Sequence, residues 1–144
     1  MYQRILVPTD GSDITKKAVD TAIKLSKLMG AQLYALSVKE PFPYSAISEM
    51  QPTPPQEFYD AQDRIATARV DEVRSACTAA GLACNASTVE ALHPWEAIVE
   101  HAQTHGCDLI VMASHGRRGM SALLLGSETQ RVLIHSKVPV LIVR

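Results

Sequence analysis

The chain alternates short apolar runs with longer amphipathic segments, and no other feature limits its fold as strongly. Arg4 to Thr9 is the first run, and its centre, Ile5-Leu6-Val7, has no polar alternation. A strand that shows one face to water alternates apolar and polar residues, so a strand without alternation is expected to be covered on both faces. Gln32 to Val38, Leu82 to Val89 (a weaker signal), Asp108 to Ala113 and Val138 to Val143 supply four more strands.

The segments between them carry helical periodicity. Ile14, Ala18, Ala22, Leu25 and Met29 recur at steps of three or four after a cap at Ser12 or Asp13, and Gly30 marks the stop. A second helix is expected from about Gln56 to Ala80, ending at Gly81. A third starts at Pro94, which suits a first helical turn, and runs to His105 before Gly106. The last covers Ser127 to Ser136, where Ser127-Glu128-Thr129-Gln130 fits a capping box. Five prolines, at positions 41, 43, 52, 54 and 55, make the stretch after the second strand a loop.

Five strands joined by helical crossovers predict an α/β fold: one Rossmann-like, doubly wound domain over residues 1–144, a parallel sheet of order 3-2-1-4-5 with helices on both faces. At 144 residues the chain suits one domain. In that order the winding reverses between the first and fourth strands, and ligands of open α/β sheets sit at the carboxyl ends of the strands flanking the reversal. The loops Pro8 to Ser12 and Ser114 to Gly126 are therefore the ones expected to carry function.

Composition narrows the ligand. Formal net charge is -1, so no general positive field draws nucleic acid or anionic lipid, and an anion must be held locally. No apolar stretch approaches the roughly 18 residues of a membrane span, and the N-terminus reaches Pro8 and Asp10 too soon for a secretory apolar region. Cys77, Cys84 and Cys107 lack C-x-x-C spacing, which suits inert reduced thiols and a cytoplasmic location. His101 and His105 share a helix face without a third ligand to complete a metal site, and Trp95 reads as a packing residue.

The second loop runs Ala113-Ser114-His115-Gly116-Arg117-Arg118-Gly119-Met120-Ser121-Ala122-Leu123-Leu124-Leu125-Gly126-Ser127 and opens a helix. Glycines let backbone N–H groups approach an anion, and the free N–H groups and dipole of the following helix add attraction. Gly116, Gly126 and Ser127 are the leading phosphate-binding candidates. Arg117 and Arg118 can neutralise phosphate charge, and His115 lies beside them.

The run Leu109-Ile110-Val111-Met112-Ala113-Ser114-His115-Gly116, followed after nine residues by Gly126-Ser127, resembles the nucleotide-binding signature G-x-x-G-x9-G-[ST] of universal stress proteins, in its ATP-binding subgroup. Ile5-Leu6-Val7-Pro8-Thr9-Asp10-Gly11-Ser12 resembles that family's opening strand and loop, and Val138-Pro139-Val140-Leu141-Ile142-Val143 its closing strand. The resemblance implies an ATP-responsive stress or signalling module. Pro8, Thr9 and Asp10 would lie beside the adenosine, with Asp10 near a Mg2+ ion on the phosphates. The backbone of Val38 would meet the adenine edge, and Met112, Ala113, Gly116, Gly126, Ser127 and Glu128 would follow ribose and triphosphate. It also implies a homodimer through strand 138–143, in line with the liability of a bare edge strand.

Two positions depart from the pattern. Ala113 replaces the first glycine of the signature, adding a methyl where backbone and ligand come close unless its φ is negative. Glu128 stands where relatives carry an apolar residue, and its carboxylate would repel a triphosphate unless it points elsewhere. Ala113 leaves room for a family member that acts as an interaction protein without nucleotide, and a slow ATPase is a further alternative. A receiver-type signalling domain fits poorly, because the third strand ends at Val89-Glu90 without a phosphorylatable Asp, and no G-x-x-x-x-G-K-[ST] loop occurs.

Overall fold

A computed structural model describes residues 1–43, 55–117 and 124–144. Most of the proline-rich loop, together with Arg118 and the middle of the long second loop, lies outside them. In chain order the elements are β1 (Arg4–Pro8), α1 (Asp13–Met29), β2 (Gln32–Lys39), α2 (Gln56–Ala79), β3 (Cys84–Glu90), α3 (Pro94–Thr104), β4 (Leu109–Ala113), α4 (Ser127–His135) and β5 (Val140–Val143). The strands form one parallel sheet of order β3-β2-β1-β4-β5, the expected doubly wound α/β topology. Among the described residues no helix is long and apolar enough to cross a membrane.

The sheet explains the unalternated β1. Ile5, Leu6 and Val7 are all fully buried. Ile5 and Val7 join a core with Ala18, Ala22 and Val73 from α1 and α2, while Leu6 joins a second core with Ile98 and Val132 from α3 and α4. Each face of the strand meets a helical layer, so neither face can carry polar residues without a partner.

The stripe of α1 is wider than the periodicity alone indicates. Ala18 and Ala22 are buried as expected, but Thr15, Val19, Ile23 and Ser26 are buried beside them, and Ile14, Leu25 and Met29 only flank the core. Gly30 ends the helix at φ 67, with the Ala31 N–H donating to Ser26 O at 2.9 Å. Only glycine takes that left-handed turn without strain. In α2 the buried stripe is Ala66, Val70, Val73 and Cys77. Residues 56–65 contribute no buried side chain, and a Lys39–Asp63 ion pair of 2.8 Å ties this exposed first part to the end of β2.

Several local expectations are corrected. Ser12 is the residue before α1, but its hydroxyl pairs with Thr15 Oγ1 at 2.8 Å and caps no backbone N–H. The capping box at Ser127 does not form: Gly126 is the N-cap, Ser127 is the first helical residue, and Gln130 Nε2 donates to Leu125 O at 2.8 Å. Strand β3 starts at Cys84 because the Leu82 N–H closes the helix end on Cys77 O at 2.8 Å. Strand β5 starts at Val140 because Ser136 Oγ bonds both the O and the N–H of Val138, at 2.8 and 3.1 Å.

Candidate functional site

Strands β1 and β4 are neighbours, and the winding reverses between them. Beyond Pro8 the chain turns tightly. Thr9 is buried, its N–H donates to Leu36 O at 2.8 Å, and its hydroxyl accepts the Gly11 N–H at 3.2 Å. Asp10 then faces the loop that leaves β4. Its Oδ1 accepts the Ser12 N–H at 2.9 Å and the Thr15 hydroxyl at 2.7 Å, and its Oδ2 accepts the Arg117 N–H at 2.6 Å. Arg117 returns a second bond from Nη2 to Asp10 O at 3.1 Å. Burial alone would raise the Asp10 pKa, but the hydrogen bonds from Ser12, Thr15 and Arg117 outweigh it and hold the carboxyl below its ordinary 3.8. Asp10 is thus an ionised bridge between the two loops.

The glycines of the second loop have specific neighbours. A Cβ on Gly116 would lie 2.7 Å from Asp10 Oδ2, so any larger residue displaces the Asp10 carboxylate. A Cβ on Gly126 would lie 3.1 Å from His115 Cα and 3.6 Å from Ser114 O. The Gly126 N–H donates to Ser114 O at 2.8 Å, which pins the two ends of the loop together. Gly126 is therefore small because the chain packs on itself at this neck. A valine there would disturb the loop as well as any ligand.

Ala113 and Met112 sit at the end of β4, both 6% exposed. The Ala113 side chain belongs to the core under α1 and that of Met112 to the core under α3 and α4. Ala113 has a negative φ, since no residue other than glycine has a positive one among the described residues. The methyl that replaces the signature glycine is thus absorbed by the core, and both residues offer a ligand only their backbone. Val38, two residues past the β2 partner of Pro8, is packed against the α3 and α4 core and likewise presents backbone at the strand end.

Glu128 is engaged elsewhere. Its Oε2 accepts the Trp95 N–H at 2.8 Å, so the carboxylate satisfies a free donor in the first turn of α3. Ser127 is exposed, and its hydroxyl has no partner among the described residues. His115 is half-buried, with Nδ1 3.3 Å from Ser114 Oγ. The site thus joins Pro8, Thr9, Asp10, His115, Gly116, Arg117 and Gly126 at one edge, with Ser127 opening α4 beside them. Thr15 escaped the sequence reading, although a threonine inside a buried helical stripe is a signal that its hydroxyl needs a partner.

Among the described residues no group of three His, Cys, Asp or Glu side chains could hold a metal ion. His101 is buried and stacked on His105 at 3.9 Å. Trp95 stacks on His135 at 4.2 Å between α3 and α4, in the packing role expected of it. The three cysteines are free thiols. Burial raises all three pKa values, to about 12 for Cys77 beside Cys84 and to about 11 for Cys107, which leaves them inert as expected.

Comparison with known proteins places these features in a family. The universal stress protein family profile matches residues 1–144. The universal stress protein YxiE of Bacillus subtilis is 32% identical, with all of both chains covered. Among solved structures, the universal stress protein UspA of Lactobacillus plantarum has the same fold, with a TM-score of 0.83 at 24% identity over 99% of this chain and 98% of that one. A universal stress protein solved in complex with cAMP matches with a TM-score of 0.74 at 30% identity, over 99% of this chain and 97% of that one. Profile, relative and fold agree over the whole sequence, and the chain belongs to the universal stress protein family.

Proposed function

We propose that this protein binds an adenine nucleotide, ATP in the first instance, at the edge formed by Pro8 to Asp10, Ser114 to Arg117, Gly126 and Ser127, and works as a nucleotide-responsive stress module in the cytoplasm. The observation that carries the reading is the Asp10–Arg117 bridge over Gly116 at the reversal point of the sheet. It brings a fixed negative charge, the Arg117 guanidinium and the start of α4 to one place. A family member 30% identical was solved with cAMP, which supports an adenine nucleotide as the ligand class. Backbone groups at Val38 would meet the base, and those from Met112 to Gly116 with Gly126 and Ser127 the ribose and phosphates. Glu128 is left out of this set because its carboxylate is held by α3. With its methyl in the core, Ala113 does not itself argue for a family member that has lost nucleotide binding.

Magnesium fits as a companion of the phosphates. Mg2+ takes one or two carboxylates and draws its other ligands from water and phosphate, and Asp10 supplies one carboxylate whose Oδ2 has accepted a single hydrogen bond. Fast hydrolysis also needs a group that positions water in line and charge that follows the transferred phosphoryl. Asp10, the carboxylate at the two loops, is already committed to three donors and is not free to orient an attacking water. We therefore expect turnover far below the roughly 10 per second of a median enzyme. Strand β5 pairs with β4 on one side only, and a homodimer through its other edge completes the proposal.

The test is to denature the purified protein, chromatograph what it releases, and titrate the stripped protein with ATP and Mg2+ by calorimetry. A co-purifying adenine nucleotide and saturable binding are expected. Lack of binding at millimolar ATP would sink the reading, and rapid phosphate release that survives further purification would make the protein an enzyme.

A further inference from the structure

Gly11 lies at φ 77, and the space beside it is crowded by cations. A Cβ built there would lie 3.2 Å from Cγ and 3.4 Å from Nε of Arg69, and 3.3 Å from Nη2 of Arg117. One arginine comes from the middle of α2 and the other from the loop after β4, yet both converge over the turn that carries Asp10. Two guanidinium groups repel unless negative charge lies between or beside them.

Carboxylates lie nearby, but among the described residues none pairs directly with either guanidinium. The Asp10 carboxylate bonds Ser12, Thr15 and the backbone of Arg117 rather than either guanidinium. Asp20 is held by Lys24 at 2.7 Å. Glu72, one turn beyond Arg69 on α2, makes no ion pair with it. Among the described residues, Arg69 has no hydrogen bond or ion pair at all, and Arg117 spends only one side-chain N–H, on Asp10 O. Arg69 is half-buried, and with Thr9, Lys16, Asp20 and Glu72 it lines a cavity of about 340 Å³ between α1 and α2. Arg69 thus joins this cavity to the Gly11 turn of the candidate site.

We propose that Arg69 and Arg117 form a two-arginine clamp for the terminal phosphates of a nucleoside di- or triphosphate. The identity of the ligand rests on the nucleotide reading above; the clamp itself rests on the converging charge. A guanidinium offers paired N–H donors that match two phosphate oxygens. Two of them converging beside the Gly11 turn suit a phosphate chain of more than one unit, and affinity should rise with phosphate number from adenosine through AMP to ATP. Occupation would tie α2, the β1–α1 turn and the loop after β4 together.

Calorimetry at fixed low salt with adenosine, AMP, ATP and inorganic tripolyphosphate tests this on wild-type protein, Arg69→Gln and Arg69→Lys, with melting curves confirming that the variants fold. Arg69→Gln is expected to weaken ATP and tripolyphosphate by about 10- to 100-fold and to leave adenosine unchanged, with Arg69→Lys between the two. If ATP binds Arg69→Gln as it binds wild type, the clamp is refuted while the nucleotide reading stands. If wild type ignores adenosine and ATP but binds tripolyphosphate through Arg69, the nucleotide reading fails, and with it the clamp as a nucleotide site, leaving Arg69 and Arg117 as a polyphosphate site. Tripolyphosphate binding that is undetectable in wild type at millimolar concentration refutes the clamp.

Discussion

Asp10 Oδ2 accepts the backbone N–H of Arg117 at 2.6 Å, joining residues 107 positions apart in sequence. A carboxylate from the turn after β1 thereby positions the loop after β4, and Gly116 is the residue whose lack of a side chain lets the two approach. Replacing Asp10 with alanine strands the Ser12 and Arg117 N–H groups and the Thr15 hydroxyl. We expect a loss of about 1–3 kcal/mol in urea unfolding and weaker nucleotide binding. Gly116→Ala should weaken binding in the same direction by pushing Oδ2 away.

The Asp10 bridge also has a pH signature. Its folded pKa lies below 3.8, so the stabilisation is present above the unfolded value and is lost as pH falls through the lowered folded one. Asp10→Asn should therefore be less stable than wild type at neutral pH and converge on it below about pH 4. Parallel stability curves for the two proteins down to pH 2 would contradict this.

Glu128 tests whether a residue in the nucleotide signature serves the ligand or the scaffold. Its bond to the Trp95 N–H predicts that Glu128→Ala lowers stability by about 0.5–2 kcal/mol while ATP affinity stays within twofold of wild type. Glu128→Gln keeps an acceptor and should recover part of the loss. A marked gain in ATP affinity for Glu128→Ala would place the carboxylate near the phosphates instead.

His101 provides an acid-sensitive element remote from the site. Burial, followed by the charge of His105, depresses its pKa from 6.5 to about 4. The folded protein keeps the ring neutral while the unfolded chain takes up a proton near 6.5. Stability is thus full above that value and falls progressively as pH drops toward 4. His101→Phe should flatten that part of the stability curve, measured as urea midpoints across the range. An unchanged slope would show that other groups dominate.

The free edge of β5 is tested best at Leu141, which is 40% exposed, because Val140 and Ile142 pack against the core under α3 and α4. Leu141→Lys should leave the fold intact and convert a dimer to a monomer in sedimentation at tens of micromolar. If the wild-type protein sediments as a monomer under those conditions, β5 is not the interface.

The sequence alone determined the strand and helix order and the topology, because solvent partition writes itself into local periodicity. An unalternated Ile5-Leu6-Val7 needs two covered faces, and Gly30 needs its left-handed turn. It also located the two loops, since right-handed crossovers leave one reversal point in such a sheet. Tertiary structure decided the partners. That Glu128 serves α3, that the Ala113 methyl lies in the core, that Gly126 packs on His115, and that Arg69 reaches Gly11 from α2 all depend on groups far apart in the chain. Hydrogen bonds and steric contacts act over a few ångströms of space, and sequence spacing reports that distance only within a single helix or turn.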